Sequence, residues 1–366
     1  MRIAYISLHW ARDISSGVGK KMTRQIQAWR NFGHEVKFFM HSVEHAPDIE
    51  VVAGEAFYYA KGNLLQTEMK RIRAAKNLVK AVRAYQPDII YLRYGIYVFP
   101  LHQLASIAPI IIEINTNDVT QHKDLGSLYA LYNRLTRGIM FRLVKGMVSV
   151  SYELMDMPVF SGYKKEMRVI PNGIDLSAIQ PLPAPQNSSP RILFSGSPGC
   201  SWHGVDKLIG LAKQFPDLTI ELIGGQNVFG GLSVPPNLKM PGYLCGDAYR
   251  QVLARVDIAI ATMALHREDM EEASPLKTRE YLAYGIPTVL PYQDSDLRDV
   301  QADFLLRIPN AEDNILTHGA EIYNFARAMR GRRVNREQIL MIDNEHKEQE
   351  RLRFFEEIFA RYGKKK

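Results

Sequence analysis

The stretch Glu271–Leu290, EEASPLKTREYLAYGIPTVL, decides how the chain folds. A Ser-Pro pair ahead of good helix formers marks a helix start, with Ser274 placed to cap it and Pro275 suited to its first turn. Gly285 can end that helix, and the apolar PTVL that follows reads as a short buried strand. Glu280 falls on the helix and Glu272 in the loop just before it. Open α/β sheets bind ligands at loops and helix starts beyond their strand ends, so two carboxylates here can grip the hydroxyls of a sugar or ribose. A capped surface helix with solvated glutamates satisfies the same spacing.

Outward from that stretch the second half of the chain keeps alternating. RILFSG (191–196), LTIELIG (218–224), VDIAIAT (256–262), PTVLPY (287–292) and DFLLRI (303–308) read as strands, with helices near 205–213, 247–254 and 275–284. Strands alternating with such helices imply a parallel sheet covered on both faces. The first half repeats the scheme. RIAYISL (2–8), EVKFFM (35–40), PDIIYLR (87–93), PIIIEIN (109–115), GMVSVS (146–151) and a strand in MRVIPNGID (167–175) are separated by helical patterns at 20–31, 69–85 and 128–144. Between the halves lies PLPAPQNSSP (181–190), whose prolines suit an extended hinge. The expectation is two similar α/β domains, 1–183 and 184–343, followed by a charged helix over 344–362.

A chain of 366 residues suits two domains, and its 46% hydrophobic and 23% charged content is that of an ordinary soluble protein. No apolar run is long enough to read as a membrane span, and the opening MRIAYISLHW reads as a first strand. Cys200 and Cys245 lack metal-type spacing and suit a reducing cytoplasm. Net charge is +7 and uneven: residues 1–186 hold 23 Lys+Arg against 15 Asp+Glu, or +8, and residues 187–366 hold 23 against 24, or −1. The positive half points to an anionic surface or partner. Its helix over 69–85 is basic and amphipathic, the pattern of a membrane-surface helix and equally of a crossover helix on a sheet. No nucleic-acid motif or interleaved aromatic platform accompanies the charge, so nucleic acid is not an expected partner.

Two further loops are candidates for chemistry. Ser15-Ser16-Gly17-Val18-Gly19 follows the first strand, and glycines at a helix start let a ligand approach the backbone. The run lacks the third glycine of a dinucleotide fingerprint, and no GxxxxGK[ST] loop occurs. Glu113 and Asn115-Thr116-Asn117-Asp118 stand at the carboxyl end of a buried strand, as site residues or as turn and capping residues.

Across essentially its whole length the chain resembles the retaining GT-B glycosyltransferases of family 4. The marks are the Glu272 and Glu280 pair within SPLKTREYLAYGIPTV, the loop at Ser16–Gly19, GHEV at 33–36, VIPNGID at 169–175 and HGVDKLI after the first strand of the second half. The resemblance implies two Rossmann-like domains facing across a cleft, with the last helix crossing back onto the first. The first domain would take the acceptor and the second a nucleoside diphosphate sugar. Glu280 would bond the ribose and Glu272 the donor sugar. Backbone around Ala273, Ser274 and Leu276, the loop at Gly196 and Ser197, and Gly17 would face the phosphates. The base would lie against Gly242, Tyr243 and Leu244. The donor is a substrate, and the resemblance implies neither a tightly bound cofactor nor a required metal.

Two departures stand out. Where relatives carry an arginine and a lysine after the first strand of the second domain, this chain has Ser197 and His203. Lys277, inside the acidic motif, is the expected compensator for the diphosphate, with Lys207 behind it. Where relatives carry a histidine after the fourth strand, this chain offers Asn115 and Asn117, neither of which is a normal general base. The resemblance implies glycosyl transfer with retention to a saccharide, lipid-linked or small-molecule hydroxyl, in cell-surface polysaccharide or glycolipid synthesis. The enzyme would be cytoplasmic, with anionic membrane as a peripheral partner. A non-catalytic glycosyltransferase-like subunit is the alternative, suggested by the absent basic pair.

Overall fold

The computed structural model describes residues 1–8, 16–43, 49–120, 126–196, 199–224 and 233–363. The chain forms two compact units, residues 1–171 with 345–366, and residues 172–344.

The first unit is a seven-stranded parallel sheet in the order β3-β2-β1-β4-β5-β6-β7. Its strands are β1 (Arg2–Ser7), β2 (Glu35–Ser42), β3 (Gly54–Tyr58), β4 (Ile89–Arg93), β5 (Ile110–Ile114), β6 (Gly146–Ser149) and β7 (Glu166–Val169). Its long helices are α1 (Gly17–Asn31), α2 (Leu64–Tyr85) and α3 (Ser127–Leu143). The strands β4, β5 and β6 are almost wholly buried, which is why they read as continuous apolar runs. The crossover reading of the basic helix holds: Ala74, Ala75, Leu78, Val79 and Val82 are its buried side.

The second unit is a six-stranded parallel sheet, β10-β9-β8-β11-β13-β15. It comprises β8 (Arg191–Ser195), α4 (Lys207–Gln214), β9 (Thr219–Ile223), β10 (Leu238–Gly242), α5 (Gly246–Arg255) and β11 (Ile258–Ile260). Then come β12 (Glu272–Ala273), α6 (Leu276–Ala283), β13 (Thr288–Leu290), β14 (Gln293–Asp294), β15 (Leu305–Arg307) and α7 (Gly319–Ala328). The pair β12–β14 makes a small parallel sheet of its own.

The last helix, α8 (Asn344–Tyr362), packs from Glu345 onward on the first unit. Leu352, Phe354, Phe355 and Ile358 enter one core with Tyr5, Trp29, Phe38 and Tyr91. The rings of Trp29 and Phe355 lie 5.3 Å apart. Glu348 accepts from Trp29 Nε1 at 2.8 Å and pairs with Arg351, which also donates to Tyr91 Oη at 3.0 Å. A buried charge pair with its hydrogen bonds filled fixes the seat of this helix on the sheet.

Three features depart from the sequence expectation. Strands β3 and β10 were not foreseen, and both are sheet edges. An edge strand has one neighbour and one covered flank, so GEAFY and LKMPG lack a continuous apolar run, and Pro241 is tolerated there. Residues 172–183 and the proline-rich stretch pack in the second unit. Leu182 is buried with Leu193, Leu253 and Tyr281, and its N–H donates to Tyr284 O at 3.0 Å. The places where the chain enters and leaves this unit are joined: Ile174 bridges to Asp343, and Asn344 N donates to Ile174 O at 2.9 Å.

Candidate active site

In the second unit the strand order changes direction between β8 and β11, and the loops after those strands meet. The turn Ser201–His203 is tied to the end of β11 by Ala264 N donating to Trp202 O at 3.1 Å and Met263 N to His203 O at 3.3 Å. Neighbouring strand ends are drawn equally close. Gly196 N donates to Ile223 O at 2.9 Å and Gly224 N to Gly242 O at 3.0 Å. A Cβ on Gly224, whose φ is +120°, would lie 1.8 Å from Gly196 O, so only glycine fits there. A Cβ on Gly196 would meet His203 Nδ1 at 2.9 Å.

Lys277 stands in the first turn of α6. Its Nζ is buried without a hydrogen-bond partner among the described residues. It lies 4.5 Å from the ring centre of Phe194 and 5.6 Å from that of Trp202. Burial pushes the ammonium down to about 7. His203, itself buried, packs edge-on against the same two rings, at 4.2 Å from Trp202 and 5.9 Å from Phe194. Two basic residues that are 74 positions apart thus share one aromatic platform at the end of β8. Lys207 is spent elsewhere, donating to Met263 O, Ala311 O and Asn314 Oδ1 at 2.8–3.1 Å.

Glu280 lies one turn further along α6. Tyr249 on α5 donates to its Oε2 at 3.0 Å and lies 3.4 Å from Ser195 Oγ. Burial, with Glu280 adding to it, raises the Tyr249 hydroxyl well above its ordinary range, so it stays a donor. Glu272 is buried on β12, in a short strand and not in an open loop. Ala273 O is taken by Ser295 N at 3.2 Å. Ser274 does not cap α6. Its Oγ accepts from Asn172 N at 2.8 Å and its carbonyl from Asn172 Nδ2, while Pro275, in extended conformation, holds the cap position. The first turn of α6, Leu276 onward, therefore has no side-chain cap. Arg279 underpins the segment from below. It is wholly buried, pairs with Asp294 and Asp296, and donates through Nε to Asn172 O at 3.0 Å. Tyr243 is exposed beyond β10, and Leu244 packs against the core around Val252 and Tyr281. Ser197 lies outside the described residues.

In the first unit Gly17 is the exposed first residue of α1, which Ser16 caps by accepting from Gly19 N at 3.0 Å. Asn117 Oδ1 accepts from Val119 N at 3.2 Å. Asn115 belongs to a buried ion cluster. Its Oδ1 accepts from Lys21 Nζ at 2.9 Å and its Nδ2 donates to Glu113 Oε2 at 3.1 Å. Glu113 pairs with Lys21 at 2.9 Å and Arg93 at 3.0 Å. Burial alone would raise Glu113, but Lys21, Arg93 and Arg351 outweigh it and hold the carboxyl well below its usual range.

Residues 15–178 match the family described as Glycosyltransferase Family 4. The matched stretch is that of a family 4 glycosyltransferase. In backbone the glycosyltransferase is similar to sucrose-phosphate synthase from Thermosynechococcus elongatus, at 14% identity and TM-score 0.66 over 98% of this chain and 99% of that one. It is similar to the lipopolysaccharide outer core galactosyltransferase WaaB in apo form, at 13% and 0.64 over 97% and 100%. It is also similar to HepE of Anabaena, at 14% and 0.62 over 98% and 100%. These likenesses establish the fold: two Rossmann-like units, the GT-B type. A sequence comparison with curated proteins finds no match. The family match and the GT-B fold together make the protein a glycosyltransferase, which transfers a sugar from a nucleotide sugar.

Sequence reasoning named the two glutamates, Lys277 and His203 of this glycosyltransferase but missed Tyr249, Arg279 and Asn172. The last two had a signal, since Arg279 is a charged residue between the two glutamates and Asn172-Gly173 lies in a family phrase. Tyr249 had none, because nothing in its own helix marks the carboxylate it serves.

Proposed function

We propose that the enzyme is a retaining hexosyltransferase that moves a sugar from a nucleoside diphosphate sugar to a hydroxyl of a saccharide, lipid-linked or small-molecule acceptor, in polysaccharide or glycolipid synthesis. The observation that carries the reading is the buried, unpartnered ammonium of Lys277 beside His203 at the end of β8. A buried cation without a counterion is costly, and a bound diphosphate is the counterion that a helix start favours. Lys277 and His203 stand in for the basic pair that relatives carry, so the non-catalytic alternative loses its main support.

In this scheme Glu280, oriented by Tyr249, bonds the ribose hydroxyls, and Glu272 bonds the donor sugar. The amides at Leu276 and beyond, with the strand end at Gly196, face the diphosphate. Tyr243 and Leu244 flank the base. The bond from the anomeric carbon to the β-phosphate oxygen breaks, and the acceptor oxygen attacks from the same face. The acceptor's proton passes to the departing phosphate, whose growing charge Lys277 and His203 stabilise. No side chain forms a covalent sugar adduct. UDP and glucose are bound in the HepE structure, which makes UDP-glucose the first donor to try. A thermal-shift screen of nucleotide sugars, followed by NMR of the product anomer, tests the reading. Retained configuration supports it, and an inverted product overturns it.

A further inference from the structure

We infer that Arg267 is a positioning residue for the transfer: it clamps the loops after β8, β11 and β15 to one another and so fixes the Trp202–His203 turn that walls in the Lys277 ammonium. Arg267 lies in the turn Leu265–Glu268 after β11. Its Nη1 donates to Ser201 O at 2.9 Å and to Asp206 Oδ1 at 3.0 Å, and its Nη2 donates to Asp206 Oδ2 at 2.8 Å. Ser201 and Asp206 bracket Trp202 and His203 in the loop after β8. On the other edge of the fork, Nε donates to Glu312 Oε2 at 3.0 Å and Nη2 to Glu312 Oε1. Glu312 belongs to the loop after β15. The neighbouring His266 adds a second tie to that loop, donating its backbone N–H to Asn310 Oδ1 at 3.1 Å and placing Nε2 2.7 Å from Glu312 Oε2. All five N–H bonds of the guanidinium are thus engaged, by two carboxylates and one carbonyl.

Single ion pairs at a surface contribute little, and Asp206 and Glu312 are 57% and 63% exposed. Arg267 is 23% exposed, and one fork joining three loops is a network with fixed geometry, which a lysine cannot reproduce. The guanidinium holds the Asp206 carboxyl below its usual range and, with His266, holds Glu312 down to about 2, so the clamp's carboxylates stay ionised at neutral pH. The consequence for Lys277 rests on the donor-site reading above. One wall around its Nζ is Phe194, which belongs to the core of the second sheet. The other wall is Trp202, which a loop carries. Lys207 fastens Met263, Ala311 and Asn314 but makes no side-chain bond to the turn. Without Arg267 the Ser201 side of the turn is released, water reaches the ammonium, and the preorganised charge at the diphosphate site is lost.

Arg267→Met removes all five donors, and Arg267→Lys keeps the charge without the fork. Calorimetry of the full chain with UDP, ADP and GDP reads the effect. At pH 7 both variants should bind the diphosphate that the parent prefers about tenfold or more weakly. The pH above which affinity declines should also rise by about one unit, because the Lys277 ammonium is better solvated. Arg332→Met, which removes an exposed pair with Asp303, should change neither quantity. NMR of the chain carrying isotope-labelled lysine follows the same ammonium with no ligand present, its signal assigned by its loss in Lys277→Met. The midpoint should rise in Arg267→Met, and by less in Asp206→Asn, the milder cut that serves if Arg267→Met fails to fold. A parent that binds none of the three diphosphates would sink the donor-site reading, and the NMR comparison would still decide the clamp. A lowered melting temperature with affinity and pH onset unchanged, a Lys277 midpoint equal to the parent's, or full recovery by Arg267→Lys would each overturn the inference.

Discussion

Tyr249 donates its hydroxyl to Glu280 Oε2 over 3.0 Å, across from one helix to the next. Glu280 is thereby held on the side of α6 that faces the end of β8, where Ser195 Oγ lies 3.4 Å from the same hydroxyl. Removing the hydroxyl takes this tether from the carboxylate. Tyr249→Phe should therefore raise the donor KM several-fold, in line with about 1.5–3 kcal/mol for a hydrogen bond to a charged group, and leave the acceptor KM alone. Glu280→Ala should cost the donor more than Tyr249→Phe does. Steady-state kinetics with each substrate varied separately decides this, and equal damage to both KM values would sink the ribose assignment.

Lys277→Met keeps the length of the side chain and removes its charge. Turnover should fall about 100-fold or more, the scale for one electrostatic contact to a leaving group. Burial lowers the ammonium from 10.5 to about 7, so above pH 7 the free enzyme must take up a proton to bind an anion there. Nucleoside diphosphate affinity should weaken by up to about tenfold per pH unit above 7. Calorimetry across that range should show the slope in the parent and not in the variant. The sign for stability is opposite. Between about 7 and 10.5 the unfolded chain holds more protons than the folded one, so the contribution of this group makes the fold more stable as pH rises through that window.

Arg279 is fully buried between Asp294 and Asp296. Arg279→Leu strands both carboxylates and cuts the link to Asn172 O. A loss of about 3–5 kcal/mol is expected, the cost of breaking a buried pair from one side. Urea unfolding measures it, and a change under about 1 kcal/mol contradicts the anchoring role.

Glu113 governs acid stability in the first unit. Its folded carboxyl titrates well below the unfolded one, so its contribution is present above the ordinary carboxylate range and fades as pH falls through it. Glu113→Gln leaves Lys21 and Arg93 without their buried counterion and should cost about 3 kcal/mol at pH 7. The gap between parent and variant should narrow toward pH 3. Parallel urea curves at pH 7 and at acid pH test both statements.

The chain's periodicity alone was enough to declare two parallel α/β sheets and the helices on them. Interior strands such as Ile110–Ile114 bury every residue and therefore announce themselves as apolar runs. The phrase around Glu272 and Glu280 likewise marked a helix and the short strand after it, since helix starts and stops are local features. What each polar residue does there depended on partners far along the chain. Ser274 suits a cap by sequence, but Asn172, 102 positions away, claims it. Lys277 and His203 become a pair only because Phe194 and Trp202 bring them to one place. Local sequence sets periodicity and caps; burial and charge pairing are properties of what packs against a residue, and only the tertiary structure decided those.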